Sequence, residues 1–153
     1  MSNKIWDFTG ETKACLDITL KRIRATVEFK LKCGIIIRKG ELGGWIEKES
    51  NMSGNAWVSG DAEVYGDARV SGNAKVYGDA KVKSSEDYCV YKNTWSSFRW
   101  FTYTRSNKMW SVGCFYGTGA ELIAKAYKDS EKSGKCYEAI VKAQEAIEKE
   151  MEV

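Results

Sequence analysis

The sequence predicts a mainly β protein in three parts: an N-terminal β cap over residues 1–45, a short parallel β-helix over residues 46–83, and a C-terminal α+β module over residues 84–153. Three observations lead to this prediction. Residues 46–83 repeat with a period of six, the following segment is rich in β-branched and aromatic residues, and the C-terminal end carries two helical patterns. A fixed short period indicates one structural unit stacked on copies of itself.

The repeat contains the same three features in almost every unit. An aliphatic residue recurs at Ile46, Met52, Val58, Val64, Val70, Val76 and Val82. A small residue lies two positions before most of these, at Ser50, Ala56, Ala62, Ala68, Ala74 and Ala80. Gly followed by Asn or Asp separates the units, at Gly54-Asn55, Gly60-Asp61, Gly66-Asp67, Gly72-Asn73 and Gly78-Asp79. Because the period is even, the aliphatic and small residues can share one face of a strand, and the Gly-Asn/Asp pairs supply turns since they tolerate positive φ.

Three units make one 18-residue coil, so each aliphatic residue is predicted to lie above the one 18 positions earlier. The predicted stacks are Ile46/Val64/Val82, Met52/Val70 and Val58/Val76. This pattern resembles the hexapeptide-repeat family, whose fold is a left-handed parallel β-helix. Little more than two coils are present, so both ends of the stack require caps.

The N-terminal cap is predicted to consist of short strands. Residues 16–20 and 23–27 alternate between apolar and polar residues with phases that differ by one, which predicts a bulge or turn near Arg22. Residues 9–11 are a turn signal. The motif Leu42-Gly-Gly-Trp-Ile-Glu47, with residues 20–25 and 54–58, resembles a group of phage- and prophage-encoded hexapeptide-repeat proteins, and this resemblance extends over residues 5–83.

The C-terminal module is predicted to have the order β-β-β-α-α. Residues 88–91, 97–105 and 108–116 are β-branched and aromatic, which predicts three strands, with Ser106-Asn107 as a two-residue hairpin turn. Thr118 and Glu121 have the spacing of a capping box that opens a helix, and Gly134 is predicted to end it before a second amphipathic helix. This part resembles uncharacterised phage domains.

The composition argues against the chemistry of the family that the repeat resembles. Many hexapeptide-repeat enzymes are acyltransferases with a His base, and one branch is a zinc carbonic anhydrase with His ligands, whereas this chain contains no His. The five Cys are widely spaced and indicate neither a zinc knuckle nor a disulfide framework. We therefore predict a non-enzymatic protein without metal or cofactor. The absence of a secretory pattern and of a long apolar run predicts a cytoplasmic location.

Cations alternate with aromatic residues over residues 97–116, and this pattern predicts a candidate binding site. Its members are Arg99, Tyr103, Arg105, Lys108 and Trp110. Such residues can stack a nucleobase and neutralise phosphate. The alternative is that the aromatic residues pack under the helices while the cations are solvated, which would account for about half of the aromatics.

Two further positions are candidates. Thr118 and Gly119, at the start of a predicted helix, form a possible anion site, although an ordinary strand-to-helix turn is the favoured interpretation. Trp57 lies at the outward position of its unit, where an exposed Trp would indicate a partner surface. The alternative for Trp57 is packing beneath a cap segment.

The sequence and its resemblance together predict a phage or prophage binding protein that acts against host defence. It would inhibit a host immune effector such as a CRISPR nuclease complex, or act as a sponge for a nucleotide immune signal, and the resemblance implies a homo-oligomer. The second version predicts a pocket that contains Arg105 or Lys108 and an aromatic residue. The net charge of +3 leaves direct nucleic-acid binding open. The alternatives are an acyltransferase-like enzyme with another base and a structural phage spacer.

Overall fold

A computed structural model describes residues 4–31, 33–72 and 74–152. The first strands are β1 (Trp6–Cys15), β2 (Ile18–Ala25), β3 (Phe29–Lys30), β4 (Ile36–Ile37) and β5 (Leu42–Ile46). The repeat contributes β6 (Trp57–Val58), β7 (Glu63–Val64), β8 (Lys75–Val76) and β9 (Lys81–Val82). The C-terminal strands are β10 (Tyr88–Lys92), β11 (Trp100–Thr104), β12 (Met109–Val112) and β13 (Phe115–Gly117), followed by helices α1 (Gly119–Asp129) and α2 (Glu131–Met151).

The predicted fold class, a short left-handed parallel β-helix with an N-terminal β cap and a β₃α₂ module, is wrong. The described chain is a mixed β protein with several small sheets and two helices. Repeat strands β7 and β9 continue a sheet that begins with β1, β2 and β5, in the order β1-β2-β5-β7-β9. Strands β6 and β8 form a separate pair. The physical reason is that two-residue strands carry few ladder hydrogen bonds, so the longer antiparallel hairpin organises the sheet that they join.

The predicted residue stacks are confirmed even though the fold class is not. Ile46 pairs in parallel with Val64, and Val64 with Val82. Met52 pairs with Val70, and Val58 with Val76. The five valines in these pairs are fully buried, which is why the six-residue pattern fixes the register.

The turn at Gly54 has φ of +62°, and an added Cβ there would lie 3.4 Å from the nitrogen of Gly72 in the neighbouring turn. Asn73 lies outside the described residues.

The N-terminal sheet confirms one of the two predicted irregularities. The pairing of β2 with β5 shifts register between Arg22 and Arg24, as the change of phase near Arg22 predicts. The turn predicted at residues 9–11 is wrong, because these residues lie inside β1. There the pairing shifts between Phe8 and Thr12, and Gly10 has φ of +99°. The chain absorbs the extra residues as a bulge instead of reversing direction.

The C-terminal sheet has four strands where three are predicted. Gly113, with φ of +57°, and Cys114 form a tight turn between β12 and β13, and this turn divides the third predicted strand. The predicted two-residue turn at Ser106-Asn107 is also wrong. Four residues, 105–108, join Thr104 to its partner Met109. The Asn107 side chain stabilises this longer turn by accepting hydrogen bonds from the hydroxyl of Thr104 (2.6 Å) and the backbone N–H of Met109 (3.3 Å).

Helix α1 begins as predicted, but α2 begins at Glu131, before the predicted boundary at Gly134. Thr118 and Glu121 form the capping box, with N–H to side-chain distances of 3.2 and 3.0 Å. The predicted end of α1 at Gly134 is wrong, because Ser130 both ends α1 and caps α2. Gly134 lies inside α2, where an added Cβ would come within 2.3 Å of the Tyr127 ring. Gly134 therefore permits close helix packing. Within the described residues, neither helix combines the length and apolar composition needed to cross a bilayer.

Side chains of the C-terminal module cap the last strands of the repeat. The hydroxyl of Thr102 accepts a hydrogen bond from the N–H of Lys75 (3.0 Å). The hydroxyl of Ser106 accepts one from the N–H of Lys81 (2.8 Å). Strand edges expose unpaired N–H groups, and these contacts satisfy two of them. They also fix the β11–β12 turn against the repeat, which positions the cleft described next.

Candidate ligand-binding cleft

A cavity of about 340 Å³ lies between α2 and the β11–β12 hairpin. Its lining includes Tyr103, Lys108, Trp110, Gly119, Gln144 and Glu148. The volume falls within the range of small-molecule sites, about 300–1,000 Å³. The cleft therefore has the size of a site for a small ligand.

The wall of the cleft on the sheet side is aromatic. Tyr103 on β11 lies opposite Trp110 on β12, and their ring centroids are 4.8 Å apart. Trp110 in turn packs against Phe101, with ring centroids 6.0 Å apart. Residues 101 and 103 share one face of β11 because strand side chains alternate. The helices cover this face, so only 5% of Tyr103 and 2% of Trp110 are exposed.

The opposite wall carries a buried carboxylate, that of Glu148. Val141, Gln144 and Glu148 lie on one face of α2, since positions three and seven residues apart align on a helix. Glu148 is 6% exposed. Its Oε2 lies 3.2 Å from Nζ of Lys108 and 3.7 Å from Nε of Arg105. Its Oε1 is buried without a hydrogen-bond partner among the described residues, which costs about 1–3 kcal/mol for a polar group and more for a charged one.

Burial shifts the acid–base equilibria of the phenols near the carboxylate. Burial, together with the adjacent Glu148 carboxylate, raises the pKa of Tyr103 well above that of an exposed tyrosine. Burial also raises the pKa of Tyr91 to about 12. The Tyr91 hydroxyl donates a hydrogen bond to Oε1 of Gln144, which holds the Gln144 side chain at the cleft. Both phenols therefore remain protonated at neutral pH, and the hydroxyl of Tyr91 acts as a hydrogen-bond donor.

Raising the pH above 10 is expected to destabilise the fold through Tyr91 and Tyr103. An unfolded chain loses its phenolic protons near about pH 10, whereas the folded chain keeps them to higher pH. The free energy of unfolding then falls by about 1.4 kcal/mol per pH unit for each such tyrosine. Urea unfolding between about pH 9 and about pH 11 measures this slope. Tyr91→Phe should reduce the slope, and an unchanged slope in that variant would contradict the assignment.

Five of the predicted binding residues, including Gly119, line or border this cleft, but not in the predicted manner. Lys108 is at the rim, with 67% of its side chain exposed, and Arg105 is 23% exposed. The expectation that Tyr103 and Trp110 offer exposed faces for stacking is wrong, because α2 covers them. Both are core residues whose edges reach the cleft, as the core-packing alternative predicts.

Arg99 does not belong to the cleft. It precedes β11 at the end of the sheet remote from the β11–β12 turn, and its guanidinium lies against Gly34, where an added Cβ would be 2.7 Å from its Cζ. The sequence pattern placed Arg99 with Arg105 and Lys108 because all three lie near one strand. A five-residue strand separates its two ends by about 16 Å. Arg99 and Arg105 therefore serve different surfaces.

Thr118 and Gly119 have structural roles. The Thr118 side chain is engaged in the capping box of α1, which fits the favoured interpretation as an ordinary strand-to-helix turn. Gly119 borders the cleft because α1 passes close to α2 there. A Cβ at this position would lie 2.7 Å from Cγ1 of Val141 and 3.4 Å from Nε1 of Trp110. Gly119 is therefore required for close packing.

The prediction that Trp57 is exposed is wrong. Its side chain is 0% exposed and packs edge-to-face against Phe29 of β3, with ring centroids 5.6 Å apart and an interplanar angle of 73°. The alternative, packing beneath a cap segment, is the observed arrangement. The indole N–H of Trp57 has no hydrogen-bond partner among the described residues.

Glu148 is the cleft residue that sequence reasoning missed. An apolar residue such as Ile147 is expected on the buried face of an amphipathic helix, but Ile147 is 48% exposed and its neighbour Glu148 is buried. The available signal was the spacing of Glu148 from Val141 and Gln144, which continues one helical face.

Comparison with protein-family models, curated proteins and solved structures found no match. Within residues 4–31, 33–72 and 74–152, no group of three or more Cys, Asp or Glu is arranged to hold a metal ion.

Proposed function

We propose that this protein is a non-enzymatic binding protein that sequesters a nucleotide in the α2 cleft. The observation that carries the proposal is the carboxylate of Glu148, a residue that lines the cavity: one of its oxygens is paired with cations, and the other is buried without a hydrogen-bond partner among the described residues. The resemblance to phage and prophage repeat proteins supports a counter-defence role for it in the host bacterial cytoplasm. In that role the protein would act as a sponge for a nucleotide immune signal.

The unpartnered oxygen of Glu148 defines one part of the ligand. A buried acceptor of this kind is stabilised by an N–H donor, and the neighbouring edges of Tyr103 and Trp110 favour a donor on a flat, largely apolar body. A nucleobase with an N–H edge has both properties. A carboxylate is the side chain that accepts from adjacent N–H groups of such an edge. The proposal therefore favours a base with ring N–H or amino donors.

The rim of the cleft defines the other part of the ligand. Lys108 and Lys149 are exposed at the rim, where an ammonium can bind a phosphate without leaving water completely. Glu145 and Glu152 also line the rim, so the cleft is not uniformly basic. A ligand that carries donors at one end and a phosphate at the other matches this distribution better than a simple anion does.

The same geometry supports binding instead of catalysis. A general base needs a free path to the proton of its substrate. The Glu148 carboxylate is instead paired with two cations, and the chain contains no His. We therefore assign Glu148 a recognition role.

Native mass spectrometry followed by isothermal titration calorimetry tests the proposal. The native spectrum of the freshly purified protein gives the oligomeric mass and the mass of any retained small molecule. Calorimetry with a panel of linear and cyclic adenine and guanine nucleotides is expected to find at least one ligand. Glu148→Gln should weaken its binding by about tenfold or more, because the amide oxygen would face Lys108 and the NH₂ group would oppose the donors of the base.

Glu150→Gln provides a matched control, since residue 150 is exposed on the same helix and does not line the cavity. It is expected to leave binding unchanged. An absence of binding across the whole nucleotide panel would overturn the proposal. So would equal effects of the two substitutions. A stable complex with a host defence protein that forms without any nucleotide would favour the inhibitor version over the sponge.

A further inference from the structure

A second surface lies at the end of the C-terminal sheet remote from the α2 cleft. It combines exposed cations with aromatic rings, and we define it by Lys30, Lys92, Phe98, Arg99 and Trp100. Lys30, Lys92 and Arg99 are exposed and make no ion pair with a described residue. Surface carboxylates repel the phosphates of a nucleic acid. Three cations that pair with no described carboxylate therefore make this patch attractive to a polyanion.

Phe98 is the most informative member of this surface. It has φ of +58°, a left-handed conformation that costs a non-glycine residue about 1–2 kcal/mol. Phe98 as a residue is 63% exposed, so packing within the fold does not offset that cost. An observed outlier of this kind, outside the core, supports a functional interpretation of the segment. The strained backbone presents an exposed aromatic residue next to Arg99 in the sequence.

Trp100 supplies a second aromatic group on the same surface. It is half-buried, and Nζ of its strand partner Lys92 lies 5.6 Å from the centre of its ring. Trp100 and Arg99 both line a cavity of about 270 Å³ against α1. That cavity also contains Lys125 and Asp129, which pair with each other at 3.6 Å, so the carboxylate there is already neutralised.

Arg99 lines a second cavity as well as this one. The second cavity has a volume of about 350 Å³ and is also lined by Lys30, Leu31 and Gly34. The guanidinium therefore lies between two adjacent depressions, with an unpaired ammonium in one and an aromatic ring in the other. This alternation of cationic and aromatic groups matches a single-stranded nucleic acid, in which phosphates alternate with bases that can stack on aromatic rings.

We infer that this surface binds single-stranded nucleic acid. Phosphates contact Arg99, Lys30 and Lys92, and bases stack on Phe98 and Trp100. A duplex fits less well because its bases are already stacked and cannot reach the two rings. The inference is independent of the nucleotide proposed for the α2 cleft, since the two surfaces share no residue.

Fluorescence anisotropy with labelled 20-nucleotide oligo-dT and oligo-U tests this inference, with a blunt DNA duplex of the same length as competitor. We expect saturable binding to a single strand at low salt that weakens as salt increases, with a slope of about −0.7 for each phosphate neutralised. Comparison of oligo-dT with oligo-U shows whether the strand is DNA or RNA. The duplex should compete poorly.

Two substitutions and two controls locate the site. Arg99→Gln and Phe98→Ala should each weaken binding by about tenfold, and Arg99→Gln should also make the salt dependence less steep. Arg38→Gln is the cation control, since Arg38 is exposed but pairs with Glu28 at 2.8 Å. Leu16→Ala is the apolar control, since Leu16 is 89% exposed and also has positive φ.

Absence of binding at low salt would overturn the inference, as would equal losses in the site variants and the controls. A protein that prefers the duplex would also contradict it. Phe98 and Arg99 are both exposed, so thermal unfolding of the variants should match that of the unchanged protein. Nucleotide binding in the α2 cleft should persist in Arg99→Gln, which separates a failure here from a failure of the proposed function.

Discussion

Asn51→Asp is expected to lower the free energy of unfolding by about 3–5 kcal/mol. Asn51 is 0% exposed, and its side chain makes three hydrogen bonds inside the repeat. Nδ2 donates to the carbonyls of Gly66 (3.2 Å) and Ala68 (2.9 Å), and Oδ1 accepts from the N–H of Lys48 (2.9 Å). An Asp has the same shape but replaces the donor with an acceptor that faces two carbonyl oxygens. Urea unfolding followed by circular dichroism measures the loss.

Asn55→Asp is the matched control for this substitution. Asn55 is exposed in a turn of the repeat, and other units carry Asp at the same position, so its replacement should change stability by less than about 0.5 kcal/mol. The deficit of Asn51→Asp should be smallest below about pH 4, where the introduced carboxyl is protonated in both states and can donate one hydrogen bond. A loss equal to that of Asn55→Asp would contradict the hydrogen-bond assignment.

Trp57→Ala is expected to lower the free energy of unfolding by about 3–5 kcal/mol. Trp57 is among the largest fully buried side chains, and it packs between the repeat and strand β3. Its removal leaves a cavity that the short strands around it cannot close without breaking the pairing of β6 with β8. The measurement is urea unfolding followed by circular dichroism, which does not depend on the fluorescence of this Trp.

Trp57→Phe separates packing from hydrogen bonding at the same site. A Phe retains much of the ring volume and removes an indole N–H that has no partner in the described part of the chain. Its stability should therefore lie much closer to that of the unchanged protein than to that of Trp57→Ala. If the two variants were equally unstable, the indole N–H would have to contribute a favourable interaction, and the packing explanation would fail.

The repeat was predictable because its information is local and periodic. Val58, Val64 and their equivalents recur every six residues, so burial of one face fixes the 18-residue pairing. The helix start at Thr118 was predictable for the same reason, since the capping box requires only two residues three positions apart. These features depend on spacing within the chain and on no distant partner.

The remaining features depend on contacts between distant segments. Nothing near residue 46 indicates that β5 joins β2 on one side and β7 on the other. The two turns at residues 105–108 and 113–114 depend on Lys108 and Gly113, which adopt positive φ in the folded sheet. The α2 cleft depends on the contact of Glu148 with Lys108, which lies 40 residues away in the sequence, and with Arg105. From the sequence alone, a carboxylate on a helix is predicted to be exposed to solvent, because the sheet that buries it is not apparent.

The hydroxyls of Thr102 and Ser106 have a consequence for assembly. By accepting the N–H groups of Lys75 and Lys81, they occupy positions that another strand would need in order to extend the stack. A further copy of the chain cannot add to the repeat at these two positions without displacing the β11–β12 hairpin. The residues that terminate growth thus also hold the hairpin that forms one wall of the cleft. Growth by strand addition and an intact cleft are therefore mutually exclusive states of the chain.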